Sequence, residues 1–427
     1  MVQSKPRPRQ IIAAVIGNAL EWYDFVVYGF LTVIISRLFF PGESEYAALL
    51  LTMATFGVGF FMRPVGAIVL GLYADRKGRK AALQLIIGLM TLSMALIAFA
   101  PPYAAIGIAA PLLVVLARLL QGFATGGEFA SATTFLVESA PTRQRGFYGS
   151  LQMVGQSVAA LTGAIAGALV TRMLAPEQID SWGWRLPFMF GLLIGPVGLY
   201  IRRYLEETEV FLEFRAARRA HIPLRTVLSQ YWRGLGVTFG LVICGTISYY
   251  VVLVYMPTFA KTQLGIPLTD AFMAQVIGLI CLTAVIPLCG ALSDRIGRRP
   301  ILLAATIAYF LLLYPLFAWV LDTPGFMRLA VMQAILCSLV GVFFGPISTA
   351  IAEQFPTGVR STGLAIAYNF AVMLFGGFAQ FIVTWLIRVT GSPLAPAYYV
   401  MFGAVIGFIA SLFLAERYHH EHLPRGA

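Results

Sequence analysis

"GLYADRKGRK", residues 71–80, reappears as "GALSDRIGRR", residues 290–299; the two share the pattern G-x-x-x-D-R-x-G-R-[KR] at an offset of 219. A second pair keeps the same order at nearly the same distance. "ESAPTRQRG" (138–146) and "EQFPTGVRS" (353–361) share E-x-x-P-T-x-x-R at an offset of 215. Chance seldom places two motifs in one order at one spacing. The chain therefore reads as a duplication, with one half over 1–203, a charged amphipathic linker over 204–233 and a second half with a short tail over 234–427.

Around these motifs the sequence is largely hydrocarbon. Of 427 residues, 59% are apolar and 11% charged, against roughly 25% charged in soluble domains. That leaves too little polar surface to cover a water-soluble fold. Apolar runs of about 20 residues match the ~30 Å thickness of a bilayer core. The expected fold class is thus an all-α membrane protein of 12 transmembrane helices in two six-helix halves. The spans fall near 11–36, 46–72, 81–100, 107–138, 147–172, 186–203, 234–259, 271–292, 301–321, 327–353, 362–387 and 396–415.

The net charge of +11 follows this topology. With a cytoplasmic N-terminus, 22 of the 30 Lys and Arg lie in the two tails and the loops on that side, six lie on the other side, and Arg63 and Arg118 lie within spans. Basic residues are retained in the cytoplasm, so both termini are expected there; the surplus marks topology, not a nucleic-acid partner. Lys5, Arg7 and Arg9 before the first apolar run imitate a signal peptide. The run is long, contains Glu21 and Asp24 and has no small-residue cleavage site, so it is expected to stay as the first span. Cys244, Cys281, Cys289 and Cys337 sit within second-half spans and read as small packing residues. "HHEH" (419–422) reads as a solvated end, and no metal site is expected.

Each copy of the first motif falls in the tight link between the second and third spans of its half. Gly78 and Gly297 supply the turns, following Gly71 and Gly290. Asp75 or Asp294 is placed to pair with Arg76, Arg79, Arg295 or Arg298 and with the positive end of a helix. Such a cluster latches the cytoplasmic side shut in one conformation; otherwise its basic residues are only topological anchors.

The costliest residues lie inside spans. "GNALEWYDFVVYGF" (17–30) puts Asn18, Glu21 and Asp24 in hydrocarbon, where each acid costs several kcal/mol. At 100° per residue they share a face with Trp22, Phe25 and Tyr28, so the stripe should face a wet cavity between helices or form a buried ion pair. On the fourth span Arg118, Gln121, Thr125 and Glu128 again share one face. The fork of Arg118 suits a substrate carboxylate or a switching salt bridge with a proton site. Gln152 and Gln156 complete a polar wall or glue helices together. Arg63, beside Pro64 and Gly66, pairs with a first-span acid or snorkels. The second half offers neutral groups in its span interiors, among them Tyr249, Tyr250, Tyr255, Gln275, Tyr368, Asn369 and Gln380. Proton coupling is therefore expected from Glu21, Asp24 or Glu128, and neutral substrate contacts from the second half.

Taken with "GNALEWYDF", "RPVGAIVLG", "ARLLQGFATGGE", "ESAPTRQRGFYGS", "WGWRLPF" and "SDRIGRRP", the repeated motifs resemble the major facilitator superfamily, and within it the metabolite:proton symporter family. The resemblance spans essentially the whole chain. It implies a monomeric, multi-pass protein of a bacterial inner membrane that works by alternating access, with a small-molecule substrate, protons and the lipid bilayer as partners and no cofactor beyond the proton. Family members take up citrate, tricarballylate, 2-oxoglutarate, shikimate, or proline and betaine. "FFPGESEYAALLLTMATFG" (39–57) resembles the citrate and tricarballylate carriers, whereas "GGEF" (126–129) is more similar to the 2-oxoglutarate and proline or betaine members. The expected function is proton-coupled uptake of a di- or tricarboxylate, with a zwitterionic osmolyte as the alternative. A channel should show a repeated selectivity element and a receptor a sizeable domain outside the membrane, and neither is visible. No nucleophile and base pair marks an enzyme.

Overall fold

The computed structural model describes residues 8–42, 44–77, 79–126, 128–202 and 224–416, and every regular element among them is helical. The side chains of Gly71, Asp75, Arg76, Gly78 and Arg79, most of the linker and the "HHEH" tail lie outside the described residues. The first apolar run is two helices, α1 (Pro8–Phe30) and α2 (Thr32–Phe39), that meet at a bend of 65°. At the bend Thr32 Oγ1 donates back to the carbonyl of Gly29 at 2.7 Å, a side-chain bond that competes with the helix ladder. α3 (Glu45–Lys77) and α4 (Arg79–Ala98) follow. The fourth apolar run breaks after α5 (Ala109–Ala124) and resumes as α6 (Glu128–Ser139). After α7 (Arg145–Met173), the sixth run is again two pieces, α8 (Arg185–Gly191) and α9 (Ile194–Arg202).

Beyond the linker, α10 (Trp232–Ser248) passes through a π-helical stretch, Tyr249–Tyr255, into α11 (Met256–Gln263). α12 (Leu268–Ile296), α13 (Arg298–Asp322) and α14 (Phe326–Ala352) follow. α15 (Arg360–Ala371) joins α16 (Ala379–Thr390) through a second π-helical stretch, Val372–Gly376, and α17 (Ala395–Leu412) comes last. Among the described residues nine helical stretches are long and apolar enough to cross a membrane, and the bent α1–α2 pair makes ten. Gln84–Ala98 within α4 is apolar but shorter.

Helices meet where side chains are small. α12 runs along both α7 and α14, linking the segments on either side of the linker. The α7–α12 seam is polar and narrow: Ser157 Oγ and Thr283 Oγ1 are 2.6 Å apart, and Thr269 Oγ1 donates to the carbonyl of Thr171 at 3.1 Å. α3 and α5 cross more tightly still. A Cβ at Gly122 would collide with the carbonyl of Gly59, and one at Gly66 with the carbonyl of Phe123. This contact sets where Arg63 and Arg118, on the two crossing helices, point. Gly122→Ala is expected to push the helices apart and cost about 1–3 kcal/mol or more. Thermal unfolding of the detergent-purified variant checks this; an unchanged Tm would show that the crossing yields freely. All four cysteines are free thiols, with Cys244 and Cys337 fully buried in helix packing.

Candidate functional site

Two adjoining cavities lie where α1, α3, α5 and α6 face α10, α14 and α15. The first spans about 260 Å³ of space not filled by atoms, its open side included, and is polar, lined by Asn18, Glu21, Trp22, Phe25, Arg63, Thr125, Glu128 and Phe129. The second spans about 380 Å³ and is mostly aromatic and aliphatic, its walls including Met153, Gln156, Tyr249, Tyr250, Phe344 and Tyr368. Trp22 and Phe129 belong to both. The ring of Phe129 stacks flat on Tyr368 at 3.7 Å, so the partition joins a helix before the linker to one after it. Tyr249 and Tyr250 enter from the π-helical stretch, where the wider turn shifts side chains off the regular helix face. Their hydroxyls are buried without hydrogen-bond partners.

The stripe expected on the first helix divides. Asn18, Glu21 and Trp22 face the polar cavity, whereas Asp24 does not line either cavity. Asp24 is 2% exposed, and its Oδ1, without a hydrogen bond, points toward Gly191, where an added Cβ would lie 3.1 Å away. Arg118 sits near enough for the two charges to act on each other. It is wholly buried, bonded through Nη1 to Gln121 Oε1 and through Nη2 to the carbonyl of Phe56 at 3.3 Å. The rings of Phe25, Tyr28 and Phe56 pack against its guanidinium at 4.7–4.9 Å. Arg118, Gln121 and Asp24 thus form a dry cluster inside the first repeat, set apart from the cavities by the ring of Phe25.

Arg63 is the cation that lines the polar cavity. Its guanidinium lies 5.4–5.7 Å from the ring centres of Trp22, Phe25, Phe60 and Tyr368. Among the other expected site residues, Gln152 exchanges hydrogen bonds with Asn18: Gln152 Nε2 donates to Asn18 Oδ1 at 3.0 Å, and Asn18 Nδ2 donates to the carbonyl of Gln152 at 3.0 Å. Gln152 therefore holds α7 to α1. Gln156, one turn on, lines the aromatic cavity with its Nε2 unbonded. Asn369 donates to the carbonyl of Gly126, bridging α15 to the break between α5 and α6, and lies outside both linings. Phe129 had no signal in sequence beyond its place one residue after Glu128.

Contacts between the two repeats flank this space at both ends. At the end carrying the repeated motifs, Asp294 accepts from the backbone N–H groups of Gly146 at 2.8 Å and Phe147 at 3.0 Å, capping the N-terminus of α7 across the linker. Arg298 ties Asp294 (3.0 Å) to Glu353 (3.3 Å) and donates to the carbonyl of Ser293 at 2.7 Å. Gly297 makes the turn at φ 98°, in the left-handed region. Arg295 lies exposed outside this cluster. The E-x-x-P-T-x-x-R copies meet reciprocally. Glu138 of the first pairs with Arg360 of the second, and Arg145 of the first lies in the field of Glu353 of the second. Burial raises the pKa of the Glu353 carboxyl against the opposing pull of Arg298 and Arg145. At the other end Phe30 meets Phe272 edge-on at 6.0 Å, and Thr384 Oγ1 bonds the hydroxyl of Tyr255 at 3.1 Å.

A helical protein with a duplicated motif and a central polar and aromatic space matches a known family by direct comparison. The model of the Major Facilitator Superfamily covers residues 14–379. The chain belongs to the major facilitator superfamily. Among this transporter's relatives, a citrate-proton symporter of Klebsiella pneumoniae is 38% identical over 410 residues, 95% of this chain and 91% of that one. The glycine betaine/proline/ectoine/pipecolic acid transporter OusA of Dickeya dadantii (strain 3937) is 35% identical over 419 residues, 96% of this chain and 83% of its own length. In fold, the chain superposes on the xylose transporter XylE of E. coli in a partially occluded inward-open conformation, with a TM-score of 0.74 at 18% identity over 95% of this chain and 96% of that one. It is a multi-pass membrane protein of a transporter family.

Proposed function

We propose that this protein is a proton-coupled symporter that takes up a small organic acid, a di- or tricarboxylate such as citrate, by alternating access. One observation carries the proposal: a cavity lined by ionisable side chains lies beside a separate buried cluster in which the Asp24 carboxyl is within the field of Arg118, so cargo and proton have distinct places in one molecule. Protonation of Asp24 removes the negative charge that faces Arg118, and the changed balance lets the surrounding helices rearrange. Uptake of an anion into a negative cell interior is opposed by about 2.3 kcal/mol per charge per 100 mV, which accompanying protons offset. The citrate-proton symporter at 38% identity supports the carboxylate class.

In this proposal the chain forms twelve spans. α4 and the α8–α9 pair supply the third and sixth, the two six-helix halves rock about the midplane, and both termini, with the motif end, face the cytoplasm of a bacterial inner membrane. The protein works as a monomer. It needs no catalytic group, metal or cofactor besides the proton. A zwitterionic substrate such as proline or betaine is the second reading, favoured by the aromatic walls of the larger cavity, where ring faces suit a substituted ammonium.

Uptake into proteoliposomes with an acidic exterior tests this, with citrate, tricarballylate, 2-oxoglutarate, shikimate, proline and betaine as the panel. Accumulation of one of them in proportion to the imposed gradient is expected; if none accumulates, proton symport of these solutes is excluded.

A further inference from the structure

We propose that Arg63, not Arg118, grips the carboxylate of the transported solute, with the rest of the solute lying in the aromatic cavity behind Trp22 and Phe129. This deepens the transport reading above and rests on it. Arg63 is 2% exposed, yet its Nε and Nη1 make no hydrogen bond. A guanidinium carries five N–H donors in a fixed fork, and leaving a buried charged donor unpaired is costly. Trp22, Phe25, Phe60 and Tyr368 surround the guanidinium, and the Tyr368 hydroxyl engages it while Nε and Nη1 stay unbonded. The free donors belong to a side chain that lines a polar cavity together with Asn18 and Thr125. A carboxylate accepting two parallel hydrogen bonds is the ligand that geometry fits.

Arg118 is also buried and ring-packed with an unbonded Nε, but it differs in position and in how its fork is used. It lines neither cavity, and two of its nitrogens already donate to Gln121 and Phe56. Among the described residues lining the two cavities, Arg63 alone is cationic, and the acids Glu21 and Glu128 share its wall. One ionised carboxylate of the solute is therefore matched by a cation. The remainder of the solute meets Tyr249, Tyr250, Gln156 and Tyr368, whose neutral groups suit hydroxyls, a protonated carboxyl or an apolar body.

Equilibrium binding of radiolabelled citrate and of radiolabelled glycine betaine to the detergent-purified full chain tests the assignment without requiring transport. Arg63→Gln should weaken binding of whichever probe the wild type holds by about 30-fold or more, as for loss of one partner of a buried charged pair. Arg63→Lys should restore part of the affinity, because an ammonium keeps the charge and loses the fork. Equal Kd in the wild type and a monodisperse Arg63→Gln overturns the assignment. If Arg63→Gln fails to fold, Arg63→Lys decides: several-fold weaker binding supports the fork, and equal binding overturns it. Binding that depends on Arg63 without gradient-driven accumulation would sink symport while leaving the anchor standing. A wild type that binds neither probe removes both.

Discussion

Asp24→Asn is expected to abolish accumulation driven by a pH gradient while leaving exchange of substrate across the membrane intact. The carboxyl is buried, faces no cavity and has one oxygen without a hydrogen bond, so an amide of the same shape fits its place. The amide takes up no proton at working pH. Each proton coupled across a one-unit pH gradient contributes about 1.4 kcal/mol and sustains roughly tenfold accumulation. In the variant the ratio should fall to about one, with counterflow of preloaded substrate near the wild-type rate. Paired measurements of accumulation and counterflow in proteoliposomes check this. Full accumulation in the variant would move the coupling role to Glu21 or Glu128.

Arg298→Ala should have the largest effect on the end of the bundle that carries the repeated motifs. Arg298 is 2% exposed and joins the half-buried Asp294 to the buried Glu353. Removing one partner of a buried ion pair costs about 3–5 kcal/mol because the remaining charges are stranded in low dielectric. Asp294 also caps α7, so the loss spreads to the contact between the two repeats. Amide hydrogen exchange at residues 142–150 and 353–360 should quicken by a factor on the order of 10²–10⁴, the equivalent of that energy. Protection unchanged from the wild type would show that the latch rests on Glu138 and Arg360 instead.

Much of this was legible in the sequence because it depends on local periodicity. Apolar runs locate helices, and the placement of Asn18, Glu21 and Trp22 on one face follows from 100° per residue. The acids in α1 betray their own expense, since ionisable groups are not kept in hydrocarbon idly. Less was legible where a helix bends. Gly29 lies just before the junction of α1 and α2, but one glycine among many in the spans and a Thr32 hydroxyl bonding backward are weak signals to read in advance.

The pairing of Glu138 with Arg360, with Arg145 in the field of Glu353, was hidden in plain view. The repeat E-x-x-P-T-x-x-R announces duplication, but a motif facing its own copy requires the two repeats to meet about a pseudo-two-fold axis, which spacing along the chain does not encode. The division of labour between Arg63 and Arg118 was hidden for a similar reason. Each is a lone cation in an apolar helix, and the fork of either suits a carboxylate.

By itself, then, the sequence determined that the chain is helical, duplicated and membrane-bound, and that charged groups were placed within its spans, because backbone geometry and the cost of burying charge act over a few residues. Tertiary structure alone decided which guanidinium lines the cavity and which is sealed against Asp24. The close crossing of α3 and α5 at Gly59 and Gly122 sets the rotation of both helices about their axes, and that rotation comes from contact between segments about sixty residues apart.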